Sequence, residues 1–256
     1  MSAPIAAPAR RSGRRHPIIA IAAYTLRTCL PGRRRIGALI PCAVAVLFGL
    51  LVRGLDDTAT RDFAQNAVES LFGLIMPVTC LVIGDAVLGA EVRRGSFTFT
   101  WMSPVPSWQI VAGRFIGGAS VAAGALAFAF ACSALVAGTP ESVGPVVIAA
   151  VFGAMAYIAV FMAIGCIAQR AAVWSLAFVF LVERLLGSAL SGIAQLSPSW
   201  EARAAFVGLS DAQRVLIRGG IPHGNAALVR LVLITLVALV IAERRLPHLR
   251  MAGSTD

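Results

Sequence analysis

The chain has 256 residues, 58% hydrophobic and 13% charged, with a mean hydropathy of +0.83, a balance that excludes an ordinary soluble domain. Its net charge is +10, and all 22 basic residues are Arg. That excess gathers beside apolar runs, as positive charge retained at membrane ends does, which excludes nucleic acid as a partner. The absence of Lys excludes a Walker A phosphate loop and Lys Schiff-base chemistry.

Residues 1–17, rich in Ala, Pro, Ser and Arg, read as a disordered basic tail. An interfacial helix is predicted over 18–30, because Ile18, Ala22, Leu26 and Cys29 recur at helical spacing while Tyr24, Arg27 and Thr28 fall on another face. The apolar patch here is too short for a secretion signal and breaks at Arg27. Six apolar runs follow at 36–52, 71–90, 116–137, 146–168, 173–196 and 226–242. Each approaches the roughly 20 residues that a bilayer core requires, so the predicted fold is an all-α polytopic membrane protein with six transmembrane helices. The membrane domain covers 18–245, and residues 246–256 form a second tail.

Charge placement sets the expected topology. With the N-terminus inside, fifteen Arg lie on the cytoplasmic side, including Arg93, Arg94 and Arg114, and six lie on or near the outer side, including Arg203 and Arg230. Both termini are therefore expected in the cytoplasm.

Between the second and third runs, residues 90–110 form an amphipathic insertion. Glu91, Arg93 and Arg94 suit solvent, while Phe97, Phe99 and Trp101 can pack on protein or headgroups. Pro104 and Pro106 then force a turn. A short rigid element of this kind can seat in a groove on a partner and pass its movement to the spans.

Ionisable groups inside the membrane are costly and turn toward protein, a cavity or one another. Asp85, near the inner end of the second run, is a packing or gating candidate. Glu183 and Arg184, in the fifth run, are sequence neighbours that project about 100° apart on a helix and so need separate partners. Gly113-x-x-x-Gly117 and the small-residue pairs Gly187/Ser191 and Ser188/Gly192 mark close helix approaches. The five Cys read as small buried hydrophobes, with no disulfide framework. No His-Glu-x-x-His and no Gly-x-Ser-x-Gly occurs, so no catalytic or metal-binding residue is assigned.

The run Ile83-Gly84-Asp85-Ala86-Val87-Leu88-Gly89-Ala90-Glu91-Val92-Arg93-Arg94-Gly95-Ser96, followed by Ser103-Pro104-Val105 and Ile110-Val111-Ala112-Gly113-Arg114, resembles the permease subunits of ABC-2 type transporters. Ser96 stands where Thr is usual in that family, and Trp108 where a basic residue often sits. The resemblance implies an elbow helix at 18–30 and a coupling segment whose contacts to an ABC ATPase subunit come from Glu91, Arg93, Arg94, Gly95, Ser96, Phe97, Ser103, Pro104, Val105 and Trp108. It also implies an outer re-entrant segment at 197–225, a second permease subunit, and an exporter in the cell membrane. ATP and Mg would sit on the partner ATPase, with no cofactor and no enzymatic site on this chain. A secondary, ion-coupled transporter and a non-transporting membrane anchor or assembly factor are the alternatives, the first disfavoured by few intramembrane acids and no evident repeat between the two halves.

Overall fold

The computed structural model describes residues 16–29, 32–55, 59–89, 105–168, 170–186, 191–210 and 222–248. Among these residues the chain is helical apart from short turns, with no strand.

Helix α1, Pro17–Cys29, opens the described chain. Its packed stripe runs through Ile21, Thr25 and Cys29 at four-residue intervals, while Ile19, Tyr24 and Leu26 are exposed. The stripe expected through Leu26 is therefore shifted, because small Thr25 rather than branched Leu26 fits the surface that α1 lies on. Helix α2, Gly32–Leu55, follows, and Ala45, Gly49 and Val52 turn inward along it.

Helix α3 is composite. It starts as Ala59–Ser70, widens into a π turn at Leu71–Ile75, continues as Met76–Gly84 and widens again at Asp85–Gly89. Pro77 sits in the first turn of the Met76–Gly84 part, where a missing N–H is tolerated. Helix α4, Ser107–Val136, is the longest at 30 residues. A 3-10 turn at Pro140–Ser142 leads into α5, Val143–Ile167. Helix α6 runs Ala171–Ala177 and passes into π turns at Phe178–Leu186. Then come the four-residue α7, Ser191–Ala194, and two longer helices, α8, Pro198–Leu209, and α9, Asn225–Arg245.

Among the described residues four stretches are long and apolar enough to cross a membrane: Phe63–Val87, Ser107–Val136, Pro140–Ile167 and Asn225–Arg245. They fit a membrane-embedded protein and match four of the six expected runs. At the other two, the apolar helical parts are shorter, Ala43–Gly54 in α2 and Ala171–Glu183 in α6. The fifth run also departs from one straight helix through residue 196. It widens from Phe178 onward, and after Ala194 the chain turns so that Ser197 caps α8.

Helix α5 occupies the centre, packed against α3, α4, α8 and α9. Its buried face is mostly Ala and Gly, including Ala149, Ala150, Gly153, Ala154 and Ala156, which lets neighbouring backbones approach closely. A Cβ on Gly153 would lie 2.8 Å from Met76 Sδ and 3.0 Å from Ala202 Cβ, so α3 and α8 meet on this glycine. Helix α8 is buried from Pro198 to Val207 except for half-buried Trp200, and lies inside the bundle rather than over it. Phe206 stacks on Phe72, which meets Phe130 edge-on, both with centroids 5.4 Å apart. Gly224, with φ +65°, leads the chain into α9, and its N–H donates to Ala204 O of α8 at 3.0 Å.

Candidate functional site

The polar centre of the molecule lies where α5, α6 and α8 converge. Ser197 is the N-cap of α8, followed by Pro198 at the first helical position, a sequence pair that favours a helix start. The Glu183 carboxylate meets that start. Ser197 Oγ donates to Glu183 Oε1 at 2.6 Å, and Ser199 N donates to the same oxygen at 3.4 Å. Tyr157 Oη, from the middle of α5, donates to Glu183 Oε2. Trp200 Nε1 reaches the Glu183 carbonyl at 3.4 Å. A carboxylate at a helix N-terminus is favourable, and here it also ties three helices together.

Beyond that network α8 carries two more buried charges. Glu201 is fully buried and pairs with Arg230 of α9 at 3.4 Å. In α8, which lies outside the four stretches long and apolar enough to cross a membrane, burial pushes the Glu201 carboxyl up to about 7, with Arg230 pulling the other way. The Arg203 guanidinium stacks over the Trp200 ring, 4.9 Å from its centroid. Glu183, Ser199, Trp200, Arg203, Glu69, Gly73 and Val179 enclose a cavity of about 230 Å³. A larger cleft of about 550 Å³ between α5 and α6 is lined by Ile164, Ile167, Trp174, Phe178 and Leu181, among others, and offers no chemistry beyond apolar contact.

At the opposite end of the bundle the functional candidates sit near the start of α4. Gly113 and Gly117 form the seat of α1: a Cβ on Gly113 would lie 2.8 Å from Ile21 Cβ, and one on Gly117 2.7 Å from Ala22 O and Thr25 Cβ. One turn of α4 thus explains why the small-xxx-small pattern is there. Arg114, expected in cytoplasmic solvent, is buried instead. Its Nη1 donates to Val87 O at 2.7 Å, in the last turn of α3, where a cation meets the negative end of a helix. Gly118 lies against Val87 from the same face. The two helices that flank residues 90–104 are therefore joined directly.

Of the expected coupling residues, Glu91, Arg93, Arg94, Gly95, Ser96, Phe97, Ser103 and Pro104 lie outside the described residues. Val105 is half-buried against the core, and Trp108 is exposed on the first turn of α4. Asp85 is half-buried at the start of the second π turn of α3, beside Ser175 and Phe161. Glu183 does find separate partners. The backbone of Arg184 belongs to α6, and its side chain lies outside the described residues. The pairs Gly187/Ser191 and Ser188/Gly192 also reach outside them.

Sequence reasoning missed Tyr157, Ser197, Ser199, Glu201 and Arg203. One signal was available, the Ser-Pro-Ser-Trp-Glu start of α8, which marks a capped helix at the start of the expected re-entrant segment. Among the described residues no group of His, Cys, Asp and Glu could hold a metal ion. No protein-family model matches the chain, and no curated protein matches it.

Proposed function

We propose that the chain is the transmembrane permease subunit of an ATP-binding-cassette exporter. It has six spans and both termini in the cytoplasm, it forms the substrate pathway in the cell membrane, and it is driven by a separate ABC ATPase subunit. The observation that carries this reading is the placement of α1 across Gly113 and Gly117, directly after residues 90–110 with their resemblance to a coupling element. Arg114 and Gly118 join α4 to the end of α3, so a push on the segment between them would move α1, α3 and α4 together. The buried α8 stands where the resemblance implies a re-entrant element. ATP and Mg belong to the partner chain, and a second permease subunit completes the pathway.

The test is co-expression with a Walker-motif ATPase encoded beside the permease. Co-purification and ATP hydrolysis only in the complex are expected, with Arg94→Glu weakening assembly and Pro104→Gly uncoupling transport from hydrolysis. Hydrolysis by the lone, contaminant-free chain overturns the proposal. Reporter fusions after Asp256 and within 197–225 should lie on opposite sides of the membrane.

One observation favours a secondary transporter: the buried Glu183 carboxylate with its hydroxyl partners is the kind of group that ion-coupled carriers place within their spans. Uptake into inverted vesicles separates the two. Transport that stops when the proton gradient is collapsed and ignores ATP supports the carrier; transport that needs ATP and survives the collapse supports the exporter.

A further inference from the structure

Buried charges of both signs face one cavity beside α8. Glu183 is 3% exposed and Arg203 9% exposed, and both line the space of about 230 Å³ with Glu69, Ser199 and Trp200. Glu69 is exposed and stands at the margin, where a ligand would arrive. The Glu183 carboxylate serves as an acceptor to Tyr157, Ser197 and Ser199, which fixes its position. Arg203 is steadied by its stacking on Trp200, and a guanidinium with five donors can serve more than one acceptor.

The charges decide what fits. An apolar occupant would offer no contact to charged groups of either sign. A simple anion meets two carboxylates, and a simple cation meets the guanidinium. A molecule with an ammonium at one end and an anionic group at the other satisfies both signs at once. At roughly 30 Å³ per water, the cavity has the liquid volume of about eight waters, which suits a ligand of about that many heavy atoms.

We infer that this cavity binds a small zwitterion, its ammonium toward Glu69 and Glu183 and its phosphate or carboxylate toward Arg203. The same chemistry occurs in a water-soluble aminoalkyl phosphate and in the headgroup of an ethanolamine lipid. The site stands whichever energy source drives transport.

The experiment uses the full chain in a neutral detergent, titrated with 2-aminoethyl phosphate, ethylammonium and methyl phosphate. Trp200 emission reports occupancy, and Trp200→Phe supplies the background from the other tryptophans. The zwitterion should bind at least roughly tenfold more tightly than either fragment, the size expected from one additional charge-assisted contact. Glu69→Gln should remove most of that preference and leave methyl phosphate binding unchanged. Arg203→Gln should abolish methyl phosphate binding, and Arg203→Lys, which keeps charge but loses the planar fork, should weaken it. Should Arg203→Gln fail to fold, the Glu69 and Lys variants still decide. Equal binding of all three probes, no binding by folded protein, or an unchanged preference in Glu69→Gln overturns the assignment. Displacement of the probe by lysophosphatidylethanolamine identifies a lipid headgroup as the source. Retention of the probe identifies a soluble zwitterion, and either result supports the site.

Discussion

The two ends of the bundle are held by different means. Near α1, helices meet through absent side chains: Gly113, Gly117 and Gly118 admit Ile21, Thr25 and Val87, and one cation, Arg114, closes the contact. Near α8, helices meet through charged groups, with buried Glu183, Glu201 and Arg203 and half-buried Arg230 in hydrogen-bonded or paired arrangements. Glycine seats depend on shape and have one good arrangement. Polar networks depend on partners, and they lose heavily when one partner goes. The α1 end is thus suited to transmitting movement rigidly, and the α8 end to changing state when a charge or ligand changes.

The largest effect is expected from Glu183→Ala, which strands the donors of Tyr157, Ser197 and Ser199 and should cost about 3 kcal/mol, read from unfolding in mixed micelles. Unchanged stability would remove the polar network as a structural tie. Gly117→Val should cost about 2 kcal/mol through overpacking and should expose the chain near Arg27 to trypsin. Gly124→Val, at a position with nothing within 4 Å of a new Cβ, is the control and should do neither. Arg114→Met keeps the apolar stem but removes the donor to Val87 O, a loss of about 1.5 kcal/mol, with α1 remaining seated.

The smallest effect concerns pH. The Glu201 carboxyl, raised by burial from 4.5 to about 7, holds its proton in the folded chain at pH values where the unfolded chain has released it. Its contribution to stability is therefore present below the unfolded value of 4.5 and is lost as pH rises through about 7. The melting midpoint of the wild-type protein should fall between pH 5 and pH 7.5 by about 2 °C more than that of Glu201→Gln. Parallel curves would remove Glu201 as the source.

The helices of the α1 end were legible because their cues are local. Apolar runs, the helical spacing of 18–30 and the Gly113/Gly117 pair each lie within a few turns. The α8 end was not, because its contacts join residues far apart in sequence: Tyr157 to Glu183, Glu183 to Ser197 and Ser199, Glu201 to Arg230. Nothing in the neighbourhood of Tyr157 marks it out among the aromatic residues of α5. The burial of Arg114 was not legible for a related reason. Charge counting assigns an Arg near a span end to solvent, whereas a long side chain can turn inward to a helix terminus when a glycine-rich surface lets the neighbouring helix come close.

The wide turns of α3 have a bearing on how this sequence can vary. A π turn holds one residue more than the α turn it replaces, so Leu71–Ile75 acts as a register joint between straight parts of one helix and Asp85–Gly89 as a second such joint at its last described turn. Phe72 is set toward α8 within the first joint, and Val87 toward Arg114 within the second. Losing one residue inside a joint restores an ordinary turn and leaves the parts on either side in register, whereas adding one to a straight part rotates everything beyond it by about 100°. A single insertion within Met76–Gly84 would leave α3 helical and apolar while turning Val87 away from Arg114, a lesion that hydropathy would not register.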